Sequence, residues 1–94
     1  MTISDSNKKF LDDLVQYYID ESKSYKQFAS EYDEFCESGI DVAFGLIVGT
    51  LYSTFLQTYA NQQLEVGLDD IQEFHEFIKS NATQIKESLE KKED

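Results

Sequence analysis

Between Val42 and Leu64 the chain runs for 23 residues without a charge, and nothing else in the sequence restricts the fold as much. As a helix this segment is about 35 Å long. Its first half (Val42, Ala43, Phe44, Leu46, Ile47, Val48, Leu51) is apolar on every side, so it needs cover on every side. Gly45, Gly49 and Ser53 recur at every fourth position. That spacing puts them on one helix face, where a neighbouring backbone can come close. The neighbour is either another helix of the same fold or a helix of a second subunit, and the spacing alone does not choose between them.

Length alone would let the segment cross a bilayer. Its second half argues otherwise, because it holds Thr50, Ser53, Thr54, Gln57, Thr58, Asn61, Gln62 and Gln63. Spanning helices are commonly flanked by Lys or Arg, whereas Asp41 and Glu65 flank this one and the nearest bases are Lys26 and Lys79. A helix buried in a soluble core is the expectation, with no membrane partner.

The chain has 94 residues, no Pro and four Gly. That length suits one domain with a modest core, and few turn residues favour long helices. No run alternates with period two, so no strand is expected. Met1 to Asp5 is polar and shows no leader-like apolar run. The single Cys36 has no intramolecular partner, which fits a reducing, cytoplasmic setting. Nineteen acids against eight bases give a net charge of −11, and every base is Lys. Without Arg there is no guanidinium fork for phosphate or guanine. The negative field also repels nucleic acid directly.

Three amphipathic segments emerge. In the first, over about 6–38, apolar residues follow a seven-residue repeat: Leu11, Leu14, Tyr18, Tyr25, Phe28, Tyr32 and Phe35, with Glu21 as a defect. Cys36 widens the same stripe, and Gly39 is placed to end the helix. The second segment, about 42–64, follows Asp41 as N-cap and is closed by Gly67. The third, about 70–90, is capped by Asp69 or Asp70 and buries Ile71, Phe74, Ile78, Ala82, Ile85 and Leu89. An unbroken first helix would span about 50 Å and overhang partners of about 30 to 35 Å. Two remedies are open: a break near 20–24, where Ser24 and Gln27 have capping-box spacing, or a second copy covering the overhang. The expected fold is therefore all-α. It is a single helical domain over residues 1–94, with frayed termini, built as a small bundle of three long helices. The first is either continuous or broken into two, and the whole assembles as a homodimer.

Candidate chemistry is sparse. His75 lacks the Glu-x-x-His of a carboxylate metal bundle, because position 72 is Gln72, and it lacks the second His of a zinc helix. Cys36 has no partner that marks it as a nucleophile. The glycines are isolated, so no phosphate loop forms. Asn81-Ala82-Thr83 matches a glycosylation acceptor but falls inside a helix. No catalytic residue, metal or cofactor is expected, and the chain reads as a binding protein rather than an enzyme. Most of the thirteen aromatic residues fall on inward stripes; Tyr17, Tyr52 and Tyr59 do not, and are candidate partner contacts. The leading expectation is a small acidic interaction module that self-associates through its uncharged central helix, through Gly45, Gly49 and Ser53. Its partner would be a second copy, an unidentified protein of basic character, or both. The alternative is an acidic imitation of nucleic acid that blocks a basic nucleic-acid-binding protein.

Overall fold

The structure is a computed structural model and describes residues 2–91. It is all-helical, with no strand among those residues. Four α-helices follow in order: α1 (Asp5–Asp20), α2 (Ser22–Ser30), α3 (Gly39–Asn61) and α4 (Leu68–Glu90), with a 3-10 turn at Asp33–Phe35 between α2 and α3.

Ser4 caps α1, its hydroxyl accepting from the Asn7 N–H at 3.2 Å. The helix buries Leu11, Val15 and Tyr18 along one stripe. It stops at Asp20. The stretch Asp20–Ser24 offers no apolar anchor, and Asp and Ser compete with the helix through their own side chains. The first segment is therefore two helices. The break falls at Glu21, not at the Ser24–Gln27 pair, and Tyr18 meets Tyr25 across it edge to face at 5.4 Å.

The first segment also ends early. Helix was expected as far as Ser38, yet α2 stops at Ser30 and residues 31–38 are irregular apart from the 3-10 turn. Glu31, Asp33, Glu34 and Glu37 would sit at the negative end of a helix dipole with no base beside them, which disfavours further helix. The last part of the heptad pattern fails with it. Phe28, Tyr32 and Phe35 were expected inside and are exposed, Phe35 by 75 %. Cys36 is exposed as well.

Ser38, not Asp41, caps α3: its hydroxyl accepts from the Asp41 N–H, and Gly39 opens this helix instead of closing the previous one. The polar residues of α3 partly satisfy themselves. Thr50 and Thr58 donate to the carbonyls of Leu46 and Thr54, each at 2.8 Å. The helix ends at Asn61, short of the expected Leu64, and Gln63 takes a left-handed backbone (φ 59°) to turn the chain. Gly67 is the N-cap of α4, and the Asp70 carboxylate reaches back to accept its N–H at 3.0 Å. Fraying was expected from Glu90 onward; Glu90 is the last residue of α4, Lys91 lies just past its end, and residues 92–94 lie outside the described ones.

Three rods result: α1 with α2, then α3, then α4. The molecule measures 41 × 25 × 20 Å. Successive rods run antiparallel. Asn7 at the start of α1 exchanges two hydrogen bonds with Gln62 just beyond α3, at 3.0 and 2.9 Å. Asp41 near the start of α3 pairs with Lys86 late in α4 at 2.8 Å. Between them Leu11, Ile47, Leu51, Phe55, Phe74, Ile85 and Leu89 are fully buried. Each such side chain contributes about 1.5–3 kcal/mol relative to exposure. Phe55 stacks on Phe74 at 4.9 Å and touches Tyr59 at 4.9 Å, so aromatic rings tie α3 to α4. Ile3, 2 % exposed, plugs the same end, its N–H donating to Glu73.

Candidate interaction surface

Each rod buries one side and shows the other. On α1 the outer side carries Lys9, Asp12, Asp13, Gln16 and Asp20; on α4 it carries Gln72, Glu76, Lys79, Thr83 and Glu87. Such sides are well solvated. The outer side of α3 has no charge between Val42 and Ala60: Gly45, Gly49, Ser53, Leu56 and Ala60 are exposed, with Val42 and Leu46 half-buried beside them. Among the described helices, α3 is also the one long and apolar enough to cross a membrane by length and composition.

The small residues are open. A Cβ built on Gly45 or Gly49 meets no heavy atom within 4 Å. Within one chain α3 is not covered on all sides, and this face has no close packing partner inside the same fold. The cause is geometric: two neighbouring rods can cover only about half of a third. Ala43, Ile47, Leu51, Phe55 and Tyr59 take the covered half, and the glycines take the other.

The three candidate tyrosines separate. Tyr17 is exposed. Tyr52 lies half-buried against α4, its ring 5.4 Å from Phe74 and stacked on His75 at 6.2 Å. Tyr59 is buried, and its hydroxyl bonds to the Asp70 carboxylate. Burial, then the Asp70 charge, pushes the Tyr59 hydroxyl above its usual range. Hydrogen bonds from Thr2 and Gly67, with a smaller one from Tyr59, hold Asp70 below the usual carboxylate range. Tyr52 and Tyr59 therefore serve the α3–α4 contact and present little to a partner.

Exposed aromatic residues occur where the sequence reading did not look. Phe10, Phe28, Tyr32 and Phe35 each show two-fifths or more of their surface. Phe10 stands just before the first residue of the seven-residue repeat and is no part of it. The other three were hidden by a repeat that continued past the real end of the helix. Around them Glu31, Asp33, Glu34 and Glu37 have no ion pair among the described residues.

Chemistry elsewhere is thin. Among the described residues, no group of three or more His, Cys, Asp or Glu side chains is placed to hold a metal ion. An open depression is lined by Thr2, Lys8, Asp69, Gln72, Glu73 and Glu76. In it Lys8 lies 3.9 Å from a Glu73 oxygen that solvent does not reach. No family model matches the chain, and neither does any curated protein or solved structure.

Proposed function

We propose that the chain is a small acidic protein–protein interaction module of the cytoplasm, without catalytic activity, that self-associates through the outer face of α3. One observation supports this above all: the least charged surface of a −11 protein is left open, and a methyl group at Gly45 or Gly49 would meet nothing within the fold. A second copy covers such a surface without desolvating any charge. Two chains of like net charge can also approach most easily where neither carries one.

Light scattering coupled to size exclusion tests the reading, on the native chain and on Gly49→Glu. Because position 49 is open in the single chain, the substitution leaves the fold intact and places a carboxylate in the centre of the contact. The native chain should show twice 10.9 kDa and the variant a single chain. A native chain that stays at one copy up to hundreds of micromolar overturns the proposal. So does a native chain that co-sediments with neutral lipid vesicles while Gly49→Glu does not, which would give the face to lipid.

A second reading keeps one observation of its own. The exposed carboxylates of residues 31–37, without an ion pair among the described residues, fit a decoy for a basic nucleic-acid site. Binding to such a protein that disappears with added salt would support it, since exposed charge pairs are screened.

A further inference from the structure

The open face of α3 borders a second, very different edge. On α1, Lys8 and Ile19 point toward α4: Lys8 reaches Glu73, and Ile19 shares a cleft with Ser88. Phe10 stands two residues from Lys8 and so lies on the far flank, where it borders Thr58 and Asn61 of α3. Tyr17 follows seven residues later on that same flank. On α2, Lys26 donates to the Lys91 carbonyl at 2.8 Å, just past the end of α4. Phe28, two residues on, is turned away from that side and exposed, with its ring 5.5 Å from Tyr32. Phe10 and Tyr17, two of the eight large apolar side chains exposed among the described residues, thus share one edge beside the small-residue face.

We propose that the second copy binds parallel to the first, with a two-fold axis along α3, so that the aromatic edge of each copy covers the small-residue stripe of the other. This rests on the self-association reading and adds its geometry. Size decides between the two possible dimers. An antiparallel pair sets stripe on stripe and aromatic edge on aromatic edge. Two glycine stripes fit only when the helices are close, while two rows of rings hold them apart. It also brings Glu21, on the same flank of α1 and near Tyr25, toward its own copy. The parallel pair sets Phe10 and Tyr17 against the partner's small residues and keeps the two Glu21 carboxylates apart.

The heights agree. Phe10 lies level with Thr58, and Tyr17 is about 10 Å further along, level with the Gly49–Ser53 turn of the partner. Area agrees as well. One helix ridge about 30 Å long and 10 Å wide has a footprint of about 300 Å², well under the roughly 800 Å² per partner of a stable interface. Adding the aromatic edge doubles the footprint, and accessible area on a corrugated face exceeds its footprint. A basic amphipathic helix from another protein is the competing occupant of this groove.

Disulfide trapping tests the geometry, in the full chain with Cys36→Ser as parent. Tyr17→Cys and Ser53→Cys each alter an exposed side chain, and thermal melts confirm that both fold. Mild oxidation of the two variants mixed should give a disulfide-linked dimer about tenfold more abundant than Tyr17→Cys alone, since a disulfide needs Cβ atoms about 4 Å apart. A linked dimer from Tyr17→Cys alone, as abundant as in the mixture, makes the pair antiparallel and overturns the proposal. A dimer by mass that links in no combination overturns it while leaving self-association standing. A monomeric parent removes both. A monomeric parent whose Tyr17→Cys thiol is shielded by a Lys-rich amphipathic peptide gives the groove to a foreign helix.

Discussion

Replacing both glycines of the α3 face by alanine separates the fold of one chain from its assembly. In the interior of an exposed helix Ala is better than Gly by about 0.8–1 kcal/mol, because Gly loses more backbone freedom on folding. That gain requires room for the methyl group, and Gly45 and Gly49 each have none of the chain's heavy atoms within 4 Å of it. They lie one turn apart on the same open side, and methyl groups at that spacing do not collide. Gly45→Ala with Gly49→Ala should therefore stabilise the single chain by about 2 kcal/mol. For a domain of this size 1 kcal/mol moves the midpoint by about 4–8 °C, so Tm should rise by about 8–16 °C. Circular dichroism melts at low micromolar concentration measure this. Repeating them at a hundredfold higher concentration reads the assembly: the native chain's Tm should climb with concentration by mass action, and the variant's should climb less, because two methyl groups hold the partner off. A drop in Tm at high dilution would refute the reasoning, since it means the glycines meet another part of their own chain.

Three further outcomes follow from the same surfaces and core. Phe55→Ala empties the stack with Phe74 and Tyr59 at a fully buried position and should cost about 3–5 kcal/mol, read from the urea midpoint. Asp41 is held below the ordinary carboxylate range by the Lys86 hydrogen bond and charge, and Asp70 by the Thr2 and Gly67 hydrogen bonds. A depressed folded value means the charged form favours folding, so this contribution is complete above about pH 4 and disappears as pH falls through the lowered values. Asp41→Asn with Asp70→Asn should lower Tm at pH 7 and flatten its decline below pH 4; an unchanged acid limb counts against these two groups. Added salt screens repulsion between two −11 chains over about 8 Å at physiological strength, so self-association should tighten between 20 and about 300 mM NaCl, and a weakening would mean that charge pairs hold the copies together.

Much of the architecture is local enough to read from the residues. The spacing of Leu11, Val15 and Tyr18, and of Phe74, Ile78, Ile85 and Leu89, marks the faces that are in fact buried. Helix ends were less legible. The repeat through Phe28, Tyr32 and Phe35 continued on paper after the chain had turned, because apolar spacing carries no record of the four acids that spoil the helix end there. Tyr52 and Tyr59 were equally opaque: whether a ring at the edge of a stripe faces water or a neighbour depends on which rod stands beside it, here α4 with Phe74, His75 and Asp70.

The amino-acid order by itself determined an all-helical chain, the faces of α1 and α4 and the charge-free stretch of α3, because these depend on periods of a few residues along one backbone. Tertiary structure alone decided that Tyr59 is inside and Phe28 outside, and that the glycine side of α3 is bare. A helix apolar on every side states how much cover it needs. How much it receives depends on how many rods pack around it, and in one copy of this chain there are two.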